Sequence, residues 1–156
     1  MRFTGRVALI TAAGSGIGRA SAEIIGGEGG TVVAVDLDKA ALESLVGTVR
    51  AAGGTAHAVP ADGLEAAQVG DVVGRTVDAH GRIDILVNAI APSLTLSPRL
   101  RPRWDRMTAE EKAREVERTP LRRVAEPVDQ ARVICFLASS DADFVTGVTI
   151  DVTGGA

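Results

Sequence analysis

Tyrosine is missing from this 156-residue chain, and cysteine, histidine and lysine are rare. Without tyrosine, general acid–base catalysis by a phenol is excluded. A single cysteine, Cys135, excludes an internal disulfide, and its position in an apolar run indicates a buried structural thiol. Neither of the two histidines, His57 and His80, has a cysteine or another histidine at ligand spacing, so we expect no metal site.

A large excess of charge and long apolar runs are also absent. The net charge of −3 gives no reason to expect nucleic acid or an anionic membrane as a partner. No apolar run approaches the length of a membrane span and the N-terminus lacks the layout of a signal peptide, so we expect a cytoplasmic location. The composition is that of a globular protein, and the length predicts one domain over residues 1–156.

The most informative stretch that is present covers residues 7–18, where four apolar residues run directly into a glycine-rich turn and then into a predicted helix. A dinucleotide site needs this order, because glycines let the backbone approach a pyrophosphate and the helix N-terminus supplies unpaired N–H groups. A second predicted strand ends at Asp36, whose carboxylate can accept hydrogen bonds from ribose hydroxyls and would repel a 2′-phosphate. The alternative is an ordinary strand–helix–strand unit with a surface aspartate.

Strand and helix patterns alternate along the first half of the chain. Apolar residues at helical spacing predict a helix over 38–52, with Asp38 as its N-cap and two glycines after its end. A strand over 55–61, a helix over 64–80 and a strand over 83–87 follow. This order predicts an α/β three-layer sandwich, which is a Rossmann-like, doubly wound parallel sheet with right-handed crossovers.

The turn itself, Thr-Ala-Ala-Gly-Ser-Gly-Ile-Gly from Thr11 to Gly18, resembles the Thr-Gly-x-x-x-Gly-x-Gly turn of the short-chain dehydrogenases/reductases, with Ala12 in place of the first glycine. The resemblance implies an NAD(P)-binding domain, and Asp36 with no following arginine implies NAD in preference to NADP. The implied cofactor contacts are Gly14, Ser15, Gly16 and Ile17 at the pyrophosphate, Asp36 and Leu37 at the adenosine ribose, Asp62 and Gly63 at the adenine, and Asn88 at the floor of the site.

Two parts of the family's pattern overlap at Val87-Asn88. Residues 81–88 resemble the family's fourth strand, whereas residues 87–98, read backward from Pro98, resemble its sixth strand and the following Pro-Gly loop. The chain therefore resembles a family member whose central segment is missing. We expect fewer strands than in the family, with a hybrid strand from Ile83 to Ala91 beside the first strand and a last strand from Val148 to Val152 beside the hybrid strand.

In the family, the missing segment carries the catalytic Ser and the Tyr-x-x-x-Lys pair. Neither of the lysines present, Lys39 and Lys112, stands in the position of that lysine, so we predict no catalytic residue. Three hypotheses follow. The chain is an NAD-binding oxidoreductase by descent with weak or no turnover, a non-catalytic nucleotide-binding or interaction subunit, or an isomerase or cyclase on the same scaffold.

The chain after Pro98 resembles the family's substrate lid and closing elements. A basic stretch around Trp104 precedes a charged helix predicted over 107–118, which can begin with a capping box between Thr108 and Glu111. A solvated lid and a binding role both remain open for this region. The closing helix from Val128 to Ala138 and the last strand from Val148 to Val152 form a subunit interface in relatives, which implies a homodimer.

Overall fold

Strands and helices alternate in the computed structural model, which describes residues 1–63, 65–88 and 92–155. The elements up to the last strand are β1 (Val7–Thr11), α1 (Gly16–Gly27), β2 (Thr31–Asp36), α2 (Lys39–Ala51), β3 (Thr55–Pro60), α3 (Ala66–His80) and β4 (Ile85–Val87). The helices after them are α4 (Arg101–Asp105), α5 (Ala109–Arg118), α6 (Pro127–Leu137) and a 3₁₀ turn (Ser140–Ala142).

The described strands form one parallel sheet in the order β3-β2-β1-β4. The two central strands, β1 and β2, are apolar along almost their whole length and are buried on both faces. Such strands are typical of a parallel sheet that helices cover on both sides. The predicted Rossmann-like α/β fold with a small parallel sheet is therefore confirmed.

Alternating side chains of the central strands divide the core into two halves. On one face, Ile10 and Ala34 belong to a buried cluster with residues of α1, α2 and α6, among them Ile25, Leu45 and Cys135. On the other face, the buried cluster comprises Val7, Leu9, Val33, Val35 and Ala61 with Val72 of α3. The sheet is thus the middle of three layers, with three helices on one side and α3 on the other.

Helix starts follow the local signals in the sequence. The Asp38 carboxylate accepts a hydrogen bond from the Ala41 N–H at 3.0 Å, as predicted for an N-cap. Thr108 and Glu111 form the predicted capping box at the start of α5. The helix predicted over 64–80 begins at Ala66 in the structure, and Leu64 lies outside the described residues.

The hybrid strand is shorter than predicted. It was expected from Ile83 to Ala91 and comprises Ile85–Val87, while Ala89, Ile90 and Ala91 lie outside the described residues. Directly before this strand, the Asp84 carboxylate accepts a hydrogen bond from the Val7 N–H at 2.8 Å. A side chain thus takes the place that a backbone carbonyl of a neighbouring strand would otherwise have. After the hybrid strand, the Asn88 side chain accepts a hydrogen bond from the Thr11 hydroxyl at 2.7 Å. The expected position beside β1 is confirmed.

The last strand predicted from Val148 to Val152 is wrong, because the structure has no strand there and the described sheet ends at β4. The Val152 carbonyl accepts hydrogen bonds from the Ser93 hydroxyl at 3.2 Å and from the Gln130 amide at 2.8 Å. This carbonyl is therefore engaged by side chains and not by a neighbouring strand. The segment still has alternating apolar residues, but Val148 and Ile150 are 58% and 43% exposed.

Helix α6 packs against α1, with Cys135 at the contact. The Cys135 side chain is fully buried and its Sγ lies 4.0 Å from the carbonyl oxygen of Ser21. Burial raises the pKa of the thiol to about 11. The structural role predicted for this cysteine therefore agrees with its position. Among the described residues, no helix combines the length and the apolar character needed to cross a bilayer.

Candidate functional site

The turn between β1 and α1 brings the backbone into close contact with itself. Gly16 has φ +56°, a conformation that L side chains rarely adopt. A Cβ on Gly18 would lie 2.3 Å from the Ala12 carbonyl oxygen, so the first turn of α1 could not come this close with a larger residue. Ala12 also has a left-handed backbone, with φ +49°, at the position where the resembled family has glycine.

The Asp36 carboxylate links the end of β2 to this turn. Its Oδ2 accepts a hydrogen bond from the Gly14 N–H at 2.9 Å, and its Oδ1 accepts one from the Asp38 N–H at 3.0 Å. A Cβ on Gly14 would lie 3.0 Å from Asp36 Oδ2 and 3.0 Å from the Ala41 Cβ, so glycine preserves the contact. Each carboxylate oxygen can accept two hydrogen bonds, so both Asp36 oxygens keep acceptor capacity for a ligand hydroxyl pair.

Two adjoining cavities flank the turn. The helix-side cavity, of about 460 Å³, lies between the N-terminus of α1 and the loop that follows β4. Its lining comprises Thr11, Ala12, Ser15, Gly16, Ile17, Gly18, Val87, Asn88, Pro92, Ser93, Thr95, Ser97, Arg99 and Leu100. The strand-side cavity, of about 310 Å³, lies at the carboxyl ends of β1, β2 and β3 and is lined by Thr11, Ala12, Val35, Asp36, Leu37, Ala61, Asp62, Gly63 and Asn88.

The structure brings the predicted cofactor residues to these two cavities. Ser15, Gly16 and Ile17 line the helix-side cavity, and Ser15 makes no capping hydrogen bond with its side chain, which leaves the positive end of α1 open to a ligand. The strand-side cavity is lined by Asp36, Leu37, Asp62 and Gly63, and Asn88 lines both cavities. Gly14 is not among the lining residues of either cavity, but its N–H donates a hydrogen bond to the Asp36 carboxylate. Their roles toward a cofactor stay predictions.

Sequence reasoning missed two residues of the site. Thr11 lines both cavities, and its hydroxyl fixes the Asn88 side chain by the 2.7 Å hydrogen bond. Arg99 lines the helix-side cavity, although neither the lid nor the binding role considered for the basic stretch around Trp104 singled it out. No local sequence signal marks Arg99, because its place in the cavity depends on the packing of Ser97 and Pro98 against Gly16.

Neither histidine belongs to the cavities. His57 on β3 and His80 at the end of α3 face each other with ring centroids 5.1 Å apart. Loss of hydration lowers the pKa of His57 below its usual value, and the nearby His80 lowers it further. Within 1–63, 65–88 and 92–155, no group of three or more His, Cys, Asp or Glu side chains is arranged to hold a metal ion.

Two family models match the chain. One described as short chain dehydrogenase matches residues 6–117, and one described as Enoyl-(Acyl carrier protein) reductase matches residues 87–156. The two matches overlap over residues 87–117, and this overlap begins at the Val87-Asn88 pair.

Curated relatives match a little over half of the chain. A 3-oxoacyl-(acyl-carrier-protein) reductase FabG of Thermotoga maritima is 41% identical over 88 residues, which is 56% of this chain and 36% of that protein. A 2,3-dihydro-2,3-dihydroxybenzoate dehydrogenase of Bacillus subtilis is 39% identical over 84 residues, which is 54% of this chain and 32% of that protein. The match spans about a third of the length of these relatives.

Solved structures share the fold over nearly the whole chain. A 7α-hydroxysteroid dehydrogenase complexed with NADH and 7-oxoglycochenodeoxycholic acid superposes with a TM-score of 0.89 at 21% identity, covering 99% of this chain and 95% of that chain. A levodione reductase gives a TM-score of 0.87 at 20% identity, with 99% and 98% covered. At these identities the likeness concerns the fold alone. Because the first family model covers well over half of the sequence, including the glycine turn and Asp36, the chain belongs to the short chain dehydrogenase family.

Proposed function

We propose that this chain binds a nicotinamide dinucleotide, NAD in preference to NADP, and that on its own it does not reach the hydride-transfer rate of a complete family member. The observation that carries the binding proposal is the Asp36 carboxylate, held by the Gly14 N–H at 2.9 Å beside the strand-side cavity. A carboxylate in this place accepts hydrogen bonds from the ribose hydroxyls and repels a 2′-phosphate. The solved relative named above contains NADH, which agrees with this ligand class.

The residues of the two cavities fit the parts of such a ligand. Ser15, Gly16 and Ile17 at the N-terminus of α1 would hold the pyrophosphate, because backbone N–H groups and the helix dipole favour an anion there. Asp36 and Leu37 would hold the adenosine ribose, and Asp62 and Gly63 the adenine. Asn88 lies between the two parts and is fixed by Thr11. The nicotinamide group supplies the hydride acceptor when it is bound.

The proposed lack of turnover rests on the residue types present. The chain has no tyrosine. Of its two lysines, Lys39 lies 4.0 Å from Glu43 on α2, and the Lys112 ammonium lies 5.9 Å from the centre of the Trp104 ring. Neither lysine lines a cavity beside the glycine turn. A positioned acid–base group typically contributes about 10²- to 10⁴-fold to the rate, so its loss alone removes most of the activity.

Affinity and turnover should therefore respond differently to the substitution Asp36→Ala. By calorimetry, we expect the wild-type protein to bind NAD more tightly than NADP. Asp36→Ala should weaken NAD binding about tenfold and thereby reduce the difference between the NAD and NADP affinities. Glu43→Ala, which removes an equal charge from the exposed face of α2, should bind NAD like the wild type. NADH formation with a panel of alcohols should stay negligible in all three proteins.

A complete family member serves as the positive control for turnover. Tighter binding of NADP than NAD would contradict the cofactor proposal. Turnover comparable with that of the control would contradict the catalytic proposal and would point to another proton-transfer group. Ser93 and Thr95 line the helix-side cavity, but their hydroxyls donate to the carbonyls of Val152 and Ser93 at 3.2 and 3.0 Å.

A second candidate function is a non-catalytic subunit that pairs with another protein. The specific observation is an apolar groove of about 290 Å³ between α3 and β4, which Val69, Val73 and the 63% exposed Leu86 help to line. Exposed apolar patches of this kind often mark interaction sites. Co-purification of a longer family member from the native cell would support this role. The homodimer and the cytoplasmic location also remain proposals.

A further inference from the structure

The two cavities beside the glycine turn differ in charge. Among the described residues, the strand-side cavity is lined by the carboxylates of Asp36 and Asp62 and by no cationic side chain. The described part of the helix-side cavity's lining has one cationic side chain, Arg99, and no carboxylate. The N-terminus of α1 adds the positive end of a helix dipole to the helix-side cavity. An anionic part of a ligand is therefore favoured on one side of the turn, and hydroxyl or amine donors on the other.

The loop that carries Arg99 lies against the turn. A Cβ on Gly16 would lie 3.5 Å from the Ser97 Cβ and 4.0 Å from the Pro98 Cδ, so these two residues are the neighbours of the first residue of α1. Arg99 follows them directly and lines the cavity together with Ser15 and Gly16. The same backbone segment thus brings Arg99 into the lining of the cavity at the N-terminus of α1.

The guanidinium of Arg99 is available for a ligand. The neighbouring Arg101 is engaged by Glu126 at 2.5 Å and by the Leu96 carbonyl at 3.3 Å. In the part of the chain that the structure describes, Arg99 pairs with no carboxylate. Guanidinium groups bind phosphate oxygens through charge-assisted hydrogen bonds with a matching planar geometry.

We propose that Arg99 binds the diphosphate of the ligand together with the N-terminus of α1, so that a nucleoside diphosphate such as ADP, and not only a dinucleotide, occupies this site. The inference rests on the proposed nucleotide-binding function and adds to it a residue and a ligand class. In this arrangement the diphosphate lies in the helix-side cavity and the adenosine in the strand-side cavity. The ligand then needs no nicotinamide to make its ionic contacts.

The experiment measures the affinity of NAD, ADP and adenosine for the wild type and for Arg99→Ala, Arg99→Lys and Arg103→Ala. Arg99→Ala should lower the affinities for NAD and for ADP by the same factor. This factor should be about tenfold, as expected from the loss of one charge-assisted hydrogen bond. It should leave the affinity for adenosine, which has no phosphate, unchanged. Arg99→Lys should recover part of the loss, because the charge remains while the planar geometry does not.

Arg103→Ala is the matched control, since Arg103 is an exposed arginine of the same basic stretch that does not line the cavity. It should bind all three ligands like the wild type. Circular dichroism of each variant shows whether the fold is kept. Binding of NAD to the wild type with no effect of Arg99→Ala, or with an equal effect on adenosine, would overturn the role of Arg99. Failure of both NAD and ADP to bind the wild type would instead overturn the proposed function.

Discussion

At the scale of single residues, Ala12 is where the chain departs from the glycine of the family's turn. Its φ of +49° places an L residue in the left-handed region, which costs roughly 1–2 kcal/mol. The turn keeps its form because the residues around it determine it, including the Gly18 backbone that packs on the Ala12 carbonyl and the Asp36 carboxylate that holds Gly14. The chain thus tolerates the substitution at the expense of local strain.

The substitution Ala12→Gly should therefore stabilise the protein. Relief of the left-handed strain exceeds the added entropy of glycine in the unfolded chain, so we expect the free energy of unfolding to rise by up to about 1 kcal/mol. Urea denaturation measures the change. The same exchange at Ala20, inside α1, should lower the free energy of unfolding by about 1 kcal/mol, since Ala20 has a helical backbone. A loss of stability in Ala12→Gly would show that Ala12 is not strained.

Residues of the site could be predicted where a local pattern determines their place. Asp36 was identified from its position at the end of an apolar strand, and Gly14 and Gly16 from the turn that precedes a helix. Arg99 could not be placed in this way, because its position in the cavity depends on how the loop after β4 packs against Gly16. That packing is a long-range contact, which the spacing of residues along the chain does not reveal.

At the scale of elements, α3 contains two glycines for which the structure shows no need. A Cβ on Gly70 or on Gly74 would meet nothing within 4 Å. In contrast, a Cβ on Gly26 of α1 would lie 2.5 Å from the Val49 Cγ1 of α2. The glycines of the two helices therefore have different roles, since Gly26 permits close packing of two helices and those of α3 only lower helix propensity.

Gly74→Ala should raise the free energy of unfolding by up to about 1 kcal/mol, the difference in helix propensity between the two residues. Gly26→Ala should lower the free energy of unfolding, because the added methyl group must displace Val49. Urea denaturation of both variants, with circular dichroism as the signal, distinguishes the two roles. Equal effects in the two helices would contradict this assignment.

The start of α6 depends on a charged hydrogen-bond network. The Asp129 carboxylate accepts hydrogen bonds from the Arg123 guanidinium at 2.5 and 2.8 Å and from the Glu126 N–H at 2.9 Å. The pKa of Asp129 is lowered from 3.8 to about 2. The main cause is the hydrogen bonding with the Arg123 guanidinium, and the hydrogen bond from the Glu126 N–H lowers the pKa further. Because the folded pKa lies below the unfolded one, this carboxylate stabilises the fold above about pH 4 and loses its effect as the pH falls toward 2.

Asp129→Asn should accordingly weaken the dependence of stability on pH between about pH 4 and pH 2, by about 1 kcal/mol across this interval, because the partner Arg123 is exposed to solvent. Thermal unfolding at a series of pH values measures it. Asp71→Asn, which removes an equal charge from the exposed face of α3, should retain the pH dependence of the wild type. An unchanged pH profile in Asp129→Asn would rule out this network as the cause.

Elements with local start signals were predicted well, and so were the strands of the sheet up to β3, whereas the hybrid strand was predicted too long and the last strand was wrong. α2 and α5 begin where an aspartate and a threonine can cap them. The segment from Val148 to Val152 has the alternation of a strand, but a strand also requires a neighbour with free N–H and C=O groups. The Val152 carbonyl instead accepts hydrogen bonds from the Ser93 and Gln130 side chains. The edge strand on which a further strand was expected to pair, β4, is only three residues long. Alternation alone could not reveal this.

At the scale of the whole molecule, the last third of the chain exposes several large apolar side chains. Phe144 is fully exposed, and Val148 and Ile150 lie beyond it in the segment that was predicted as a strand. On α6, Phe136 and Leu137 are also partly exposed, while Cys135 faces α1. This surface coincides with the helix and segment that we predicted as the interface of a homodimer.

We expect sedimentation and light scattering at micromolar concentration to show a homodimer. The double substitution Phe144→Glu with Val148→Glu should shift it to a monomer, because two charges would be buried in the interface. Val73→Glu, on the apolar groove beside α3, adds a charge elsewhere and should leave the dimer intact. A monomeric wild-type protein would contradict the prediction, and dissociation caused by Val73→Glu alone would place the interface on the other face.

Alkylation of Cys135 can report how often α6 moves away from α1. Only the thiolate reacts readily with alkylating reagents, and in the closed structure burial between α1 and α6 both hides the sulfur and keeps it protonated. An alkylation event therefore requires that α6 first lift away from α1. Since the chain has one cysteine, each molecule carries at most one such label. The labelling rate therefore measures how often α6 separates from α1.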